Sequence, residues 1–135
     1  MPRAAAVETT RFTRIYPGGV DQVRQARHDL ARHLSACGYP RVDDAVLVLS
    51  EFATNAVTHS NSRGQHFTVK AELFPGCLLL MVEDLGGDWV LKLPDEDRPH
   101  GLNIVEILAG PDSWGVDGDE RGWVVWARLG TPDAF

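Results

Sequence analysis

Glu51, Asn55 and His59 stand four residues apart in an otherwise apolar stretch, Leu47-Val48-Leu49-Ser50-Glu51-Phe52-Ala53-Thr54-Asn55-Ala56-Val57-Thr58-His59-Ser60. Four residues slightly exceed one helical turn, so in a helix the three side chains form one stripe. A carboxylate and a carboxamide one turn apart make an oxygen-rich edge. Such an edge can hold a hard cation such as magnesium, or orient a water. The same spacing also describes a solvated helix face. A second polar station is Asp84, followed by Gly86 and Gly87. A carboxylate there can accept hydrogen bonds from an exocyclic amine, and the glycines let a flat ring approach the backbone. An Asp-initiated turn with glycine at positive φ is the plainer alternative. The third station is His100-Gly101-Leu102-Asn103. At the start of a helix, the N–H groups after a glycine can receive an anion such as phosphate, although any helix start looks similar.

The elements that must position these stations follow from periodicity. Residues 1–8 read as a loose tail and residues 9–16, with Phe12 and Ile15, as a short edge strand ended by Pro17-Gly18-Gly19. Residues 20–37 repeat Val23, Ala26, Leu30, Ala31 and Leu34 at helical steps, with Arg24, Arg27, Asp29 and Arg32 facing outward. Asp21 in the first turn suits the helix dipole; Gly38 and Pro40 end the helix. A second helix starts near Asp43 or Asp44 and runs to about His59, burying Ala45, Val46, Leu49, Phe52, Ala53, Ala56 and Val57.

Residues 66–74 alternate as a half-buried strand, and Pro75-Gly76 turns the chain. Residues 77–83 are apolar on both faces, which predicts a central strand. Residues 89–99 form a charged surface loop. Residues 101–109 form a third helix with Leu102, Val105 and Leu108 as its buried stripe. Residues 113–116 and 122–129 make a closing hairpin around Asp117-Gly118-Asp119, and 131–135 is a tail. Strand, helix, helix, two strands, helix, two strands predicts an α+β two-layer sandwich, with helices on one face of a mixed, mainly antiparallel sheet. One domain spans residues 9–130.

Composition narrows the function classes. A chain of 135 residues is one domain and buries about two-thirds of its unfolded surface. The net charge of -6 argues against nonspecific nucleic-acid binding, which needs a basic face. Cys37 and Cys77 form no CxxC pair and suit two reduced thiols in a cytoplasmic protein. No apolar run is long enough to cross a bilayer, and residues 1–8 lack the apolar core of a signal peptide. His28 and His33 read as solvated, and the four tryptophans as core or edge packing.

The three stations together are more specific than any one. In order and spacing they resemble the nucleotide-binding domain (Bergerat-type ATP-binding fold) shared by gyrase, a heat-shock chaperone, histidine kinases and a mismatch-repair ATPase. The resemblance is nearest to its small single-domain branch, the anti-sigma factor serine kinases and related regulatory ATP-binding proteins of actinobacteria. Ser50-Glu51-Phe52-Ala53-Thr54-Asn55-Ala56-Val57-Thr58-His59-Ser60 looks like that branch's N box. Val82-Glu83-Asp84-Leu85-Gly86-Gly87 looks like its first glycine box, and Gly101-Leu102-Asn103-Ile104-Val105-Glu106-Ile107-Leu108-Ala109 like its second. Trp114-Gly115-Val116 and Gly122-Trp123-Val124-Val125-Trp126-Ala127-Arg128-Leu129 match its closing hairpin. The likeness covers residues 10 to 130.

The resemblance implies ATP and Mg2+ as cofactors. Asn55 would bind the magnesium that bridges the phosphates, and Glu51 would be the general base. Asp84 would accept the adenine amine and Gly86 would sit against the purine. His100, Gly101 and Leu102 would meet the phosphates. The implied activity is serine/threonine protein kinase action on an antagonist protein, with a sigma factor as second partner and transcription controlled by partner switching. It implies no direct contact with nucleic acid or membrane, and a homodimer is compatible with it. Two positions depart from the pattern. Asp88 stands where the first box carries its second glycine, and Pro99, which has no N–H to give a phosphate, where the second box carries its first. These departures motivate an alternative, a module that keeps the fold and acts by protein binding alone. A plain ATP hydrolase, or the detached catalytic half of a histidine kinase, is a third reading. The chain lacks the dimerisation helix with a phosphorylatable histidine that the last would use.

Overall fold

The computed structural model describes residues 11–59, 66–84, 101–119 and 122–130; at residues 58, 59, 101–103 and 119 the backbone alone is described. Its elements are β1 (Arg11–Pro17), α1 (Val20–Ala36), α2 (Val42–His59), β2 (His66–Phe74), β3 (Cys77–Asp84), α3 (Gly101–Ala109), β4 (Trp114–Asp119) and β5 (Gly122–Gly130). The five strands lie in the order β1-β2-β3-β5-β4, and every described pairing is antiparallel. The expected mixed sheet is therefore antiparallel throughout its described ladders. The α+β two-layer arrangement is as the sequence pattern predicts, and β3 is the middle strand.

Period-two burial explains the sheet. Phe67, Val69, Ala71 and Leu73 of β2, Leu78, Leu80 and Val82 of β3, and Val125, Ala127 and Leu129 of β5 are buried. They form one apolar face against α2 and α3. α1 buries Val23, Ala26, Leu30 and Leu34 and packs on α2 and β1. It ends where Gly38 takes φ +75, with Tyr39 N–H donating to the Leu34 carbonyl at 3.0 Å. α2 is the spine of the core: Ala45, Val48, Leu49, Phe52, Ala53, Ala56 and Val57 are buried. The expected face carried Val46 instead of Val48. These two lie on opposite flanks of the stripe, and the packed neighbours close over the flank of Val48.

Three further expectations are corrected. Asp117-Gly118-Asp119 is not the hairpin turn but the end of β4, paired with Val124, Trp123 and Gly122. Residues 120 and 121 lie outside the described part. Asp29 of α1 does not simply face outward: it accepts a hydrogen bond from Tyr16 Oη of β1 at 2.8 Å and pairs with Arg14 at 3.3 Å. His33 is half-buried rather than solvated, its ring 5.2 Å from that of Phe12; His28 is exposed as expected. Trp114, Trp123 and Trp126 are half-buried, which agrees with edge packing. No described helix is long and apolar enough to cross a membrane.

Gly118 is a position where glycine is required. Its φ is +117, and a Cβ there would lie 2.1 Å from the Gly122 carbonyl oxygen and 3.0 Å from Trp123 Cα. Both obstacles are backbone and cannot rotate away. Gly118→Ala is expected to cost about 2 kcal/mol or more, read as a lowered urea midpoint at unchanged slope.

Two groups between β1 and α1 set an acid sensitivity. Burial opposes charge on Asp29, but hydrogen bonds from Tyr16 and Gln25 and the Arg14 guanidinium outweigh it and hold the carboxyl below its usual range. Burial, aided by Arg14, pushes His33 below its usual range. A depressed histidine binds its proton more readily when unfolded. Stability carried by neutral His33 is therefore complete above the ordinary histidine pKa, about 6.5, and falls as pH drops below it. The Asp29 contribution persists to lower pH and is lost as pH falls from the ordinary carboxylate range through the depressed value. Denaturation midpoints measured from pH 8 to pH 3 should fall in two stages, and His33→Gln should flatten the upper one.

Candidate functional site

One end of the molecule is fixed by Arg41, just before α2. Its guanidinium donates to the Gly130 carbonyl at the end of β5 and to the Leu108 carbonyl in the last turn of α3, each at 2.8 Å. Gly130 pairs with Cys77, so the start of β3 lies at this same end. From there β3 runs about 23 Å to Asp84, at about 3.3 Å per residue. α2 runs alongside β3 and reaches Asn55 after about 21 Å, at 1.5 Å per residue. The chain leaves α2 at His59 and re-enters the sheet at His66, near the level of Glu83, which pairs with Thr68. The C-terminal part of α2 and the C-terminal end of β3 thus share the pole opposite Arg41.

Helix geometry says which flank of α2 carries the polar stripe. Arg27 of α1 donates to Ser50 at 3.3 Å, so Ser50 marks the α1 side. Arg41 holds Asp44 at 2.9 Å while also holding Leu108, so Asp44 marks the α3 side. Asp44, Val48, Glu51 and Asn55 follow at steps of four, three and four, a single row up that flank. Glu51 and Asn55 are half-buried, and so is Asp84. Asp84 continues the inward series Leu78, Leu80, Val82, which turns its side chain toward the helical layer.

α3 supplies the third station. Helix carbonyls point toward the C-terminus, and the Leu108 carbonyl points at Arg41, so the N-terminus of α3 opens away from that end. Its described span, Gly101–Ala109, is the one predicted, and it packs on α2 and β5. Among its described side chains Val105 is buried and Leu108 packs at the edge of the core, while the side chain of Leu102 lies outside the described part. The backbone of Gly101 and Leu102 thus lies in the first described turn of α3. Gly86 and His100, like Asp88 and Pro99, lie outside the described residues. The side chain of His59, the third member of the stripe, does too.

The resulting pole joins a carboxylate and an amide in one row, an inward carboxylate on the central strand, and the first described turn of α3, whose N–H groups find no acceptor within the described helix. A family model described as histidine kinase-like ATPase domain matches residues 16–129. The chain belongs to the histidine kinase-like ATPase domain family. Membership makes it an ATP-binding domain of the regulatory kind, and the match covers every described element except the first part of β1 and the last residue of β5. No curated protein is similar enough to this chain to stand as a relative.

Two positioning residues escaped the sequence reading. Arg27 looked like an outward charge, and helical periodicity alone could not show that it reaches Ser50. Arg41 carried one usable signal: a cation directly before a helix start opposes the dipole, so it needs a reason to be there. Its partners Leu108 and Gly130 lie 67 and 89 residues away, which no local pattern reveals.

Proposed function

We propose that this domain is an ATP-dependent serine/threonine protein kinase of the anti-sigma type. It transfers the γ-phosphoryl group of ATP to a serine of an antagonist protein, and controls a sigma factor by partner switching. The observation that carries the reading is Glu51 one turn before Asn55, half-buried on the flank of α2 that faces α3, at the pole that holds Asp84. Asp84 accepts the adenine amine, and the helix start at Gly101 receives the phosphates.

Among the described residues no group of three acidic, histidine or cysteine side chains could hold a metal by itself. That suits magnesium, which binds through one or two protein oxygens together with substrate phosphates rather than in a protein cage. Asn55 would hold it through the amide oxygen, and the ion would supply neutralisation of phosphate charge. Glu51 accepts the serine hydroxyl proton as the serine oxygen bonds to the γ-phosphorus. The bond to the β-phosphate oxygen breaks, and ADP leaves.

Asp88 and Pro99 favour a second reading, in which the fold binds its partners and transfers nothing. Capture from source-cell extract with and without ATP and magnesium, followed by incubation of the captured protein with γ-labelled ATP, separates the two. Label on a serine of the captured protein supports the kinase. Capture with no label, unaffected by nucleotide, supports the binding module.

A further inference from the structure

We propose that Arg41 positions the phosphate-binding end of the site from the far end of α3. The inference rests on the reading of the opposite pole as an ATP site. One planar guanidinium joins three elements: Nε donates to Asp44 at 2.9 Å, Nη1 to the Gly130 carbonyl at 2.8 Å, and Nη2 to the Leu108 carbonyl at 2.8 Å. The Arg41 carbonyl itself accepts the Ala45 N–H at 3.0 Å, so the same residue opens α2.

Leu108 lies in the last turn of α3, where carbonyls have no partner within the helix and a cation is favoured. A bond to that carbonyl acts along the helix axis. Burial of Val105 holds α3 laterally, against α2 and β5. Gly110, at φ +103, closes the helix end by donating to Glu106 at 2.8 Å. Arg41 then sets how far α3 extends toward the pole. A nine-residue helix moves as a unit, so an axial slip at Leu108 reappears at Gly101. Hydrogen bonds from helix-start N–H groups to a phosphate tolerate only a few tenths of an ångström before they weaken. The base end, on Asp84 of the central strand, does not depend on α3.

Arg41 therefore governs the gain in affinity that phosphates add over the bare nucleoside. The test is competition binding of ATP with magnesium and of adenosine to wild type, Arg41→Gln and Arg41→Lys, with melting temperatures read in parallel. Lysine keeps the charge but cannot bridge both carbonyls and Asp44 at once. In both variants the ratio of ATP to adenosine affinity should fall by about tenfold, with adenosine affinity unchanged. An unchanged ratio overturns the inference, and so does a parallel loss of both affinities, which marks a merely structural role. Should Arg41→Gln fail to fold, the Arg41→Lys ratio decides. Wild type that binds neither ligand refutes the ATP site itself, a different failure from an unchanged ratio.

Discussion

Glu51→Gln is expected to lower phosphoryl transfer to the antagonist by about two to four orders of magnitude while leaving ATP affinity within about threefold. Glutamine keeps the size and one oxygen of the side chain but cannot take the serine proton. Glu51 sits in the row Asp44, Val48, Glu51, Asn55 that faces α3, half-buried beside the apolar stripe of α2. The substitution changes proton transfer without opening a cavity. Single-turnover transfer and equilibrium nucleotide binding, measured on the same preparation, separate the two quantities. A variant as active as wild type would remove Glu51 from the chemistry, and a variant that no longer binds ATP would make it a binding residue instead.

Asn55→Ala is expected to weaken magnesium-dependent ATP binding by about a hundredfold. The amide is the protein oxygen offered to the cation, one turn beyond Glu51, and alanine offers none. The substitution is mild for the fold because Asn55 is half-buried, whereas its neighbours Ala56 and Val57 carry the packing. Excess chelator supplies the control: without magnesium, wild type and Asn55→Ala should bind ATP equally weakly. A persistent difference under chelation would mean that Asn55 touches the nucleotide directly.

Much of this was legible in the chain because the relevant signals are local. The strand alternation of Phe67, Val69, Ala71 and Leu73 and the helical repeat of Val23, Ala26, Leu30 and Leu34 map directly onto buried faces. The spacing of Glu51 and Asn55 placed them in one row before any tertiary contact was known. Antiparallel pairing throughout was not legible, since a helix between β3 and β4 is compatible with either direction. Tyr16 with Asp29, and Arg41 with Leu108 and Gly130, were not legible either. Those bonds link residues of different elements, and an exposed-looking charge gives no sign of a distant carbonyl. The end of β4 was misread for a related reason: Asp117-Gly118-Asp119 has turn chemistry, but pairing to β5 continues through it.

The central claim is that the row on α2, the inward end of β3 and the start of α3 converge on one adenine nucleotide. Titration of magnesium–ATP into isotopically labelled protein, followed by amide resonances, tests it most directly. The largest shifts should fall on Glu51, Asn55, Asp84 and residues 101–103, with smaller ones near Gly130 and Cys77 at the Arg41 end. Saturation without shifts at Asn55 and Asp84, or shifts gathered at the Arg41 end, would contradict the account.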